Sequence, residues 1–283
     1  MQVPKVFNHT INALGEGPLW HPGIQSLFWF DILNKTIHMS DGLNHKSWIF
    51  ECFVSAAGWV SNEKVVIASA TDLRLFDILT GASEQICHLE SNNKSTRSND
   101  GRADPYGGFW IGTMGLAAES HAGSIYRFFE GEIVKLFPNI TIPNSICFSP
   151  DKKFGYFCDT PERKIMRVSL DQKGWPSSDP EVFIDLQETN LNPDGAVIDL
   201  SGYLWSAQWG SSRVARYDRN GCFVSELKFN AKQISCPAFG GKNMSTLFAT
   251  SASVDLDDAS PNDGKTFLTE VDSVGQEEHR VII

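Results

Sequence analysis

The stretches NSICFSPDKKFGYFCDT at 144–160 and NPDGAVIDLSGYLWSAQW at 192–209 follow one plan. Each opens on Asn or Asp and enters a short apolar run. A polar turn follows, Ser149-Pro-Asp-Lys in one and Asp199-Leu-Ser-Gly in the other. A second, aromatic-rich run then begins. Short runs of this composition between turn formers read as β-strands. The unit recurs along the chain: EGPLWHPG leads to SLFWFDI, AAGWVSNE to KVVIASA, NDGRADPYG to GFWIGTM, and CPAFGGKN to TLFATSA. Aligning the first strands brings Glu16, Ala56, Asn99, Asn144, Asp194 and Cys236 into register, at spacings of 40, 43, 45, 50 and 42 residues.

A third strand follows several units, as in KTIHMSDG, LRLFDILTG, GSIYRFFEG, KIMRVSLD and RVARYDRNG. These segments end in Gly- or Asp-containing hairpin turns. No long segment shows helical periodicity. Six copies of a four-stranded unit predict an all-β chain, a six-bladed β-propeller of four-stranded antiparallel blades, with residues 1–283 as one domain. Two β-sandwich domains would share the strand spacing but not the six copies in register. Ring closure requires one terminus to complete the other's blade. Residues near Val6 are expected to pair with the sheet containing Thr266–Val271.

The composition excludes several classes of function. With 24 Lys+Arg against 34 Asp+Glu, the net charge is −10. No basic surplus exists to neutralise phosphates, so neither a nucleic acid nor an anionic membrane surface is an expected partner. No apolar run reaches transmembrane length, and MQVPKVFNHT has no signal-peptide core. The six cysteines form no C-x-x-C pair, which disfavours structural zinc and fits a reducing compartment. A cytoplasmic location and a monomer are expected. The eight Trp and 19 Phe suit packing between sheets.

In a propeller, the starts of the innermost strands converge on the axis at one face. Four of the six aligned residues there, Glu16, Asn99, Asn144 and Asp194, carry oxygen; Asp100 and Ser145 follow at the next position. Taken singly, Asn-Asp-Gly and Pro-Asp-Gly are ordinary turn tripeptides. Their shared register instead gathers carboxylates and carboxamides in a confined channel, where a cation is the economical partner. Two carboxylates with amide oxygens suit Ca2+, Mg2+ or Mn2+; Zn2+ or Fe2+ remains open, although no His or Cys clearly joins.

Glu16-Gly-Pro-Leu-Trp, Arg97-Ser-Asn-Asp-Gly-Arg, Gly112-Thr-Met, Asn144-Ser-Ile-Cys-Phe-Ser-Pro-Asp and Asn192-Pro-Asp-Gly occur in this order. Together they resemble the gluconolactonase, regucalcin (senescence marker protein) and sugar lactonase family. The segments around Cys236 and Ser206-Ala-Gln-Trp-Gly are more similar to bacterial aldonolactonases than to animal regucalcin. The resemblance implies a six-bladed propeller, one divalent metal ion near the axis, and a sugar lactone as substrate. It matches Glu16, Asn144 and Asp194 to metal ligands, and Arg97 and Asn99 to residues that contact substrate. A substrate-contacting Glu found in some members, shortly after Gly-Thr-Met, is Ala117 here. Glu119 or His121 is the candidate replacement from the same loop.

The expected reaction is hydrolysis of an aldonolactone to the aldonic acid. The metal would polarise the carbonyl and activate water, and Asp194 would serve as base. Arg97, Asn99 and Asp100 form a polar cluster suited to sugar hydroxyls. No G-x-S-x-G elbow offers a serine nucleophile. Trp209 is a candidate pocket wall, and Cys236 reaches the axis by register as a buried thiol. Two alternatives stay open: an esterase or organophosphate hydrolase with an apolar pocket, and a non-catalytic metal- or ligand-binding propeller.

Overall fold

The computed structural model describes residues 3–283. After β1 (Lys5–Asn8), blade 1 runs β2 (Gly15–His21), β3 (Ser26–Asp31), β4 (Thr36–Ser40) and β5 (His45–Ile49). Blade 2 is β6 (Val54–Trp59), β7 (Lys64–Ser69), β8 (Asp72–Asp77) and β9 (Ser83–His88). Blade 3 is β10 (Thr96–Ala103), β11 (Phe109–Gly115), β12 (Gly123–Phe129) and β13 (Glu132–Ile140). Blade 4 is β14 (Pro143–Phe148), β15 (Phe154–Asp159), β16 (Lys164–Ser169) and β17 (Glu181–Asp185). Blade 5 is β18 (Asn192–Ile198), β19 (Leu204–Trp209), β20 (Arg213–Tyr217) and β21 (Phe223–Lys228). Blade 6 takes β22 (Gln233–Gly240), β23 (Thr246–Ala252) and β24 (Thr266–Glu270) from the end of the chain. Its outer strand is β1, antiparallel to β24 with Val6 opposite Phe267. The N-terminal segment thus closes the ring as the sequence predicts.

Burial falls from axis to rim. Every residue of β2, β14 and β22 is buried, because neighbouring blades cover both faces of an innermost strand. The outer strands β5 and β9 are largely exposed. The core therefore lies between blades, and the tryptophans fill it. Trp110 meets Phe148 edge-on at 5.3 Å, Trp20 stacks on Phe248 at 5.4 Å, and Trp205 meets Phe239 at 5.7 Å. Each pair bridges two adjacent blades. Among the described residues no helix is long and apolar enough to cross a membrane.

One irregularity is common to all six blades. Each innermost strand slips by one residue against its partner near the axis: after Glu16, Val54, Ser98, Asn144, Pro193 and Ile234. These are β-bulges, with one residue too many on the inner strand. A bulge releases local backbone pairing and re-aims the adjoining side chains.

The segment 274–282 straps the opposite end of the axis. Gly275 N–H bonds Met244 O in blade 6, and Leu200 N–H of blade 5 bonds Val274 O. The Gln276 amide donates to Phe148 O and Ile198 O, both at 2.9 Å, joining blades 4 and 5. Glu278 pairs with Arg102 of blade 3, and Val281 N–H reaches Trp59 O in blade 2 at 2.9 Å.

Between blades 3 and 4, Arg127 and Asp104 form a fully buried ion pair, with Nε to Oδ2 at 2.6 Å. Asp104 also accepts the N–H groups of Tyr106 and Gly108, shaping the β10–β11 turn. Removing one member of such a pair strands a desolvated charge, at a cost of about 3–5 kcal/mol. Asp104→Ala is therefore expected to lose about that much in urea denaturation. A loss below about 1 kcal/mol would mean that water reaches Arg127.

Candidate active site at the propeller axis

A cavity of about 330 Å3 opens at the end of the axis where the inner strands begin. Its floor is Glu16 of β2, Arg97 and Asn99 of β10, Asn144 of β14 and Asp194 of β18. All five are buried. Its walls are Leu14, Met114, Ile142, Thr160 and Trp209, with Leu33, Ala118, Val254 and Asp255 toward the mouth. The floor comes from inner-strand bulges. The walls come largely from residues where second strands end: Leu33 after β3, Met114 on β11, Thr160 after β15, Trp209 on β19 and Val254 after β23.

A hydrogen-bond relay fixes the polar floor. Arg97 Nη1 donates to Asn99 Oδ1 at 2.9 Å and to Ser98 O at 2.9 Å. Asn99 Nδ2 donates to Asn144 Oδ1 at 3.1 Å and to Pro143 O at 3.0 Å. Asn144 Nδ2 donates to Thr160 Oγ1 at 2.9 Å, and that hydroxyl donates to Pro193 O at 2.8 Å. Each donor here has an acceptor, so the relay admits only one orientation of either amide. It commits the Asn144 nitrogen to Thr160 and leaves its oxygen one free lone pair, on a residue that lines the same cavity as Glu16 and Asp194.

Those carboxylates are unusual for a chain at neutral pH. Burial, reinforced by the charge of Asp100, pushes the Glu16 carboxyl up to about 8, against a single N–H donor at Gly17. Burial and then the charges of Glu16 and Asp100 push Asp194 well above the usual carboxylate range. Arg97 is the nearby cation; burial lowers it to about 10, while Glu16 acts to hold it charged. One guanidinium does not compensate two buried carboxylates, so both are pushed toward their protonated forms. Among the described residues no three His, Cys, Asp or Glu side chains gather as a metal cluster. The donor set of two carboxylates and one oriented amide oxygen nevertheless fits a hard divalent cation, with water completing its shell.

Glycines allow this close assembly at two points. A Cβ on Gly17 would sit 2.3 Å from Ser55 O, and its φ of +54° favours glycine besides. A Cβ on Gly195 would sit 2.2 Å from Cys236 Sγ, so the thiol packs against the backbone beside Asp194. Cys236 is buried and does not line the cavity.

Three residues expected to touch substrate stand elsewhere. Asp100 is buried but not among the lining residues; its Oδ2 accepts Ile146 N–H at 2.8 Å. Asn99 and Asp100 both lie within the β10 bulge, which aims Asn99 at the cavity and Asp100 at β14. Glu119 and His121 are exposed. Glu119 Oε2 turns back to accept Ala117 N–H at 3.1 Å, and His121 is tied by its backbone N–H to Thr141 Oγ1. From that loop, Ala118 lines the cavity instead. Thr160, Ile142, Leu33, Val254 and Asp255 are lining residues that the first-strand register did not select. The repeat register of the second-strand exits holds the signal for three of them.

Such a site, oxygen-rich at its floor and centred on a propeller axis, defines a binding or hydrolytic propeller. Residues 14–253 match the SMP-30/gluconolactonase/LRE-like region, and the chain belongs to that family. The crystal structure of a calcium-binding protein, regucalcin, from Agrobacterium tumefaciens superposes with a TM-score of 0.97 at 40% identity, covering 99% of this chain and 98% of that one. An L-arabinolactonase of Azospirillum brasilense is 32% identical over 94% of this chain and 91% of its own. A 6-deoxy-6-sulfogluconolactonase of Pseudomonas putida is 29% identical over 85% of this chain and 84% of its own.

The raised carboxyl of Glu16 has a measurable consequence. The folded chain holds its proton more tightly than the unfolded chain, whose ordinary value is 4.5. The stability this contributes is present in full below about 4.5 and is lost as pH rises through about 8. In chelator, the melting temperature is therefore expected to fall across that window, and Glu16→Gln to flatten the fall. Parallel slopes in the two proteins would remove Glu16 as the source.

Proposed function

We propose that the protein hydrolyses a sugar lactone to its aldonic acid in the axial cavity, with a divalent cation held by Glu16, Asn144 and Asp194. The observation that carries this reading is that Glu16, Asn144 and Asp194 line one cavity, with the two carboxyls buried and the charge of Glu16 acting on Asp194. The arabinolactonase and sulfogluconolactonase relatives support the substrate class, and the calcium-binding regucalcin neighbour supports a cation. A cation bound there supplies Lewis-acid polarisation and lowers the pKa of water.

The chain's own groups do the rest. Water adds to the lactone carbonyl carbon and the ring C–O bond breaks. Asp194 takes a proton from the attacking water and returns it to the ring oxygen, which leaves as a hydroxyl. Arg97, held in the relay, presents its remaining N–H donors to the carbonyl oxygen or the sugar hydroxyls, and Asn99, whose two N–H groups are committed, can accept from a hydroxyl through Oδ1. Thr160 keeps Asn144 from rotating.

Asp194→Asn is expected to lower kcat by about 10²–10⁴-fold in protein shown to be cation-loaded. Unchanged turnover would remove Asp194 from the chemistry. Thr160→Val releases one end of the relay; titration with the cation alone is expected to show about 10–100-fold weaker binding. Wild-type affinity in that variant would mean that Asn144 is not a ligand.

The apolar walls favour a second reading, an esterase for uncharged apolar esters or lactones, since Leu33, Met114, Ile142 and Trp209 surround the floor. Aldonolactones compared with apolar lactones and aryl esters separate the two. Faster turnover of the aldonolactones supports the sugar reading.

A further inference from the structure

The cavity is asymmetric in charge along its depth. Arg97 is the one cation among its lining residues, and it lies at the buried floor beside Glu16, with Nη1 committed to Ser98 O and Asn99 Oδ1. The mouth holds Leu33, Ala118, Val254 and a single charged residue, Asp255. Asp255 is exposed, on the connection between β23 and β24. The backbone beside it is pinned: Val254 N–H bonds Ala13 O at 3.0 Å, and Ser253 Oγ bonds Asn12 O at 2.9 Å. A left-handed φ of 54° at Asp255 itself turns the chain there. Asp257 and Asp258 follow on the same connection, adding charge of the same sign. Arg163, just beyond the lining residue Thr160, is engaged elsewhere, donating to Asn190 and Asn192.

We infer that the site takes lactones whose terminal carbon is uncharged, and that Asp255 is a specificity-determining residue that rejects a terminal phosphate, sulfonate or carboxylate. This rests on the hydrolase reading, which sets the lactone carbonyl at the floor beside Asp194. The far end of the sugar then lies toward the mouth. An anionic group there meets Asp255 without a cation to pair it, against the apolar surface of Leu33, Val254 and Trp209. Like charges repel at this range, and an anion loses hydration without gaining a partner. An anionic tail drawn down to Arg97 would instead carry the carbonyl toward the mouth, away from Asp194. The sulfogluconolactonase relative gives this choice a counterpart within the family, since its name places a sulfonate on its substrate.

The test compares kcat/KM for glucono-1,5-lactone and its 6-phospho and 6-sulfo analogues, corrected for spontaneous hydrolysis. The uncharged lactone is expected to be favoured by about tenfold or more at low ionic strength, and the preference to shrink in about 1 M salt as the charge is screened. In Asp255→Lys the ratio of uncharged to anionic turnover is expected to fall about tenfold or more; Asp255→Asn is expected to fall between the two. Equal turnover of charged and uncharged lactones, or a ratio unmoved in Asp255→Lys, overturns the inference and leaves the hydrolase reading standing. No hydrolysis of any of the lactones overturns both.

Discussion

Each innermost strand carries one residue more than the segment it pairs with, at the same level in all six blades. The rest of the site depends on that surplus. A regular strand would bury its inner residues in ladder pairing and send alternate side chains into the blade interfaces. The bulge breaks the ladder where the strands crowd the axis, and it turns Glu16, Asn99, Asn144 and Asp194 to a common point. The same crowding explains why Gly17 and Gly195 sit there, where a Cβ would overlap a neighbouring blade.

Charge along the axis follows from this geometry. At the floor, Glu16 and Asp194 are buried together with only Arg97 to offset them. One residue deeper on β10, burial raises Asp100 to about 6, although Ile146 N–H and the charge of Arg102 oppose the shift. Deeper again, Arg102 pairs with Glu278 of the strap. The deep pair is matched within the protein, while the floor is not. The strap therefore closes its end of the channel both sterically and electrostatically. The uncompensated carboxyls are left at the open end of the channel.

The repeat made the fold legible in the sequence, because six strand pairs at similar spacing admit few architectures. The closing pairing of Val6 with the last sheet followed from the same reasoning. The floor was legible only approximately: oxygen-bearing residues near the start of the inner strands converge, but the bulges follow Glu16 and Asn144 yet precede Asn99 and Asp194, so the aligned register is one residue off between the two pairs. Asp100 was not, since the β10 bulge aims it at Ile146 of β14 and away from the cavity although it adjoins Asn99 in sequence. Glu119 and His121 were misplaced because their loop satisfies itself. Glu119 bonds Ala117 N–H, and the turns at Ala118 and His121 take positive φ. Such local closure is set by backbone geometry that composition does not display. Thr160 was legible in principle, at the exit of a second strand, but its role appears only when its hydroxyl is seen between Asn144 and Pro193.

Floor and mouth are thus built from different material. The floor groups sit on strands, locked by the relay and by neighbouring blades on both sides; moving any one disturbs its partners. The mouth is formed by Leu33, Ala118, Val254 and Asp255, which follow strands; Ala118 and Val254 are held by backbone hydrogen bonds to Gly115 O and Ala13 O. A side chain changed there alters what the cavity admits and leaves the relay intact. Within one family, an arabinolactonase and a sulfogluconolactonase act on sugars that differ in size and charge. A rigid floor under an adjustable mouth is a physical arrangement that permits such divergence without rebuilding the propeller.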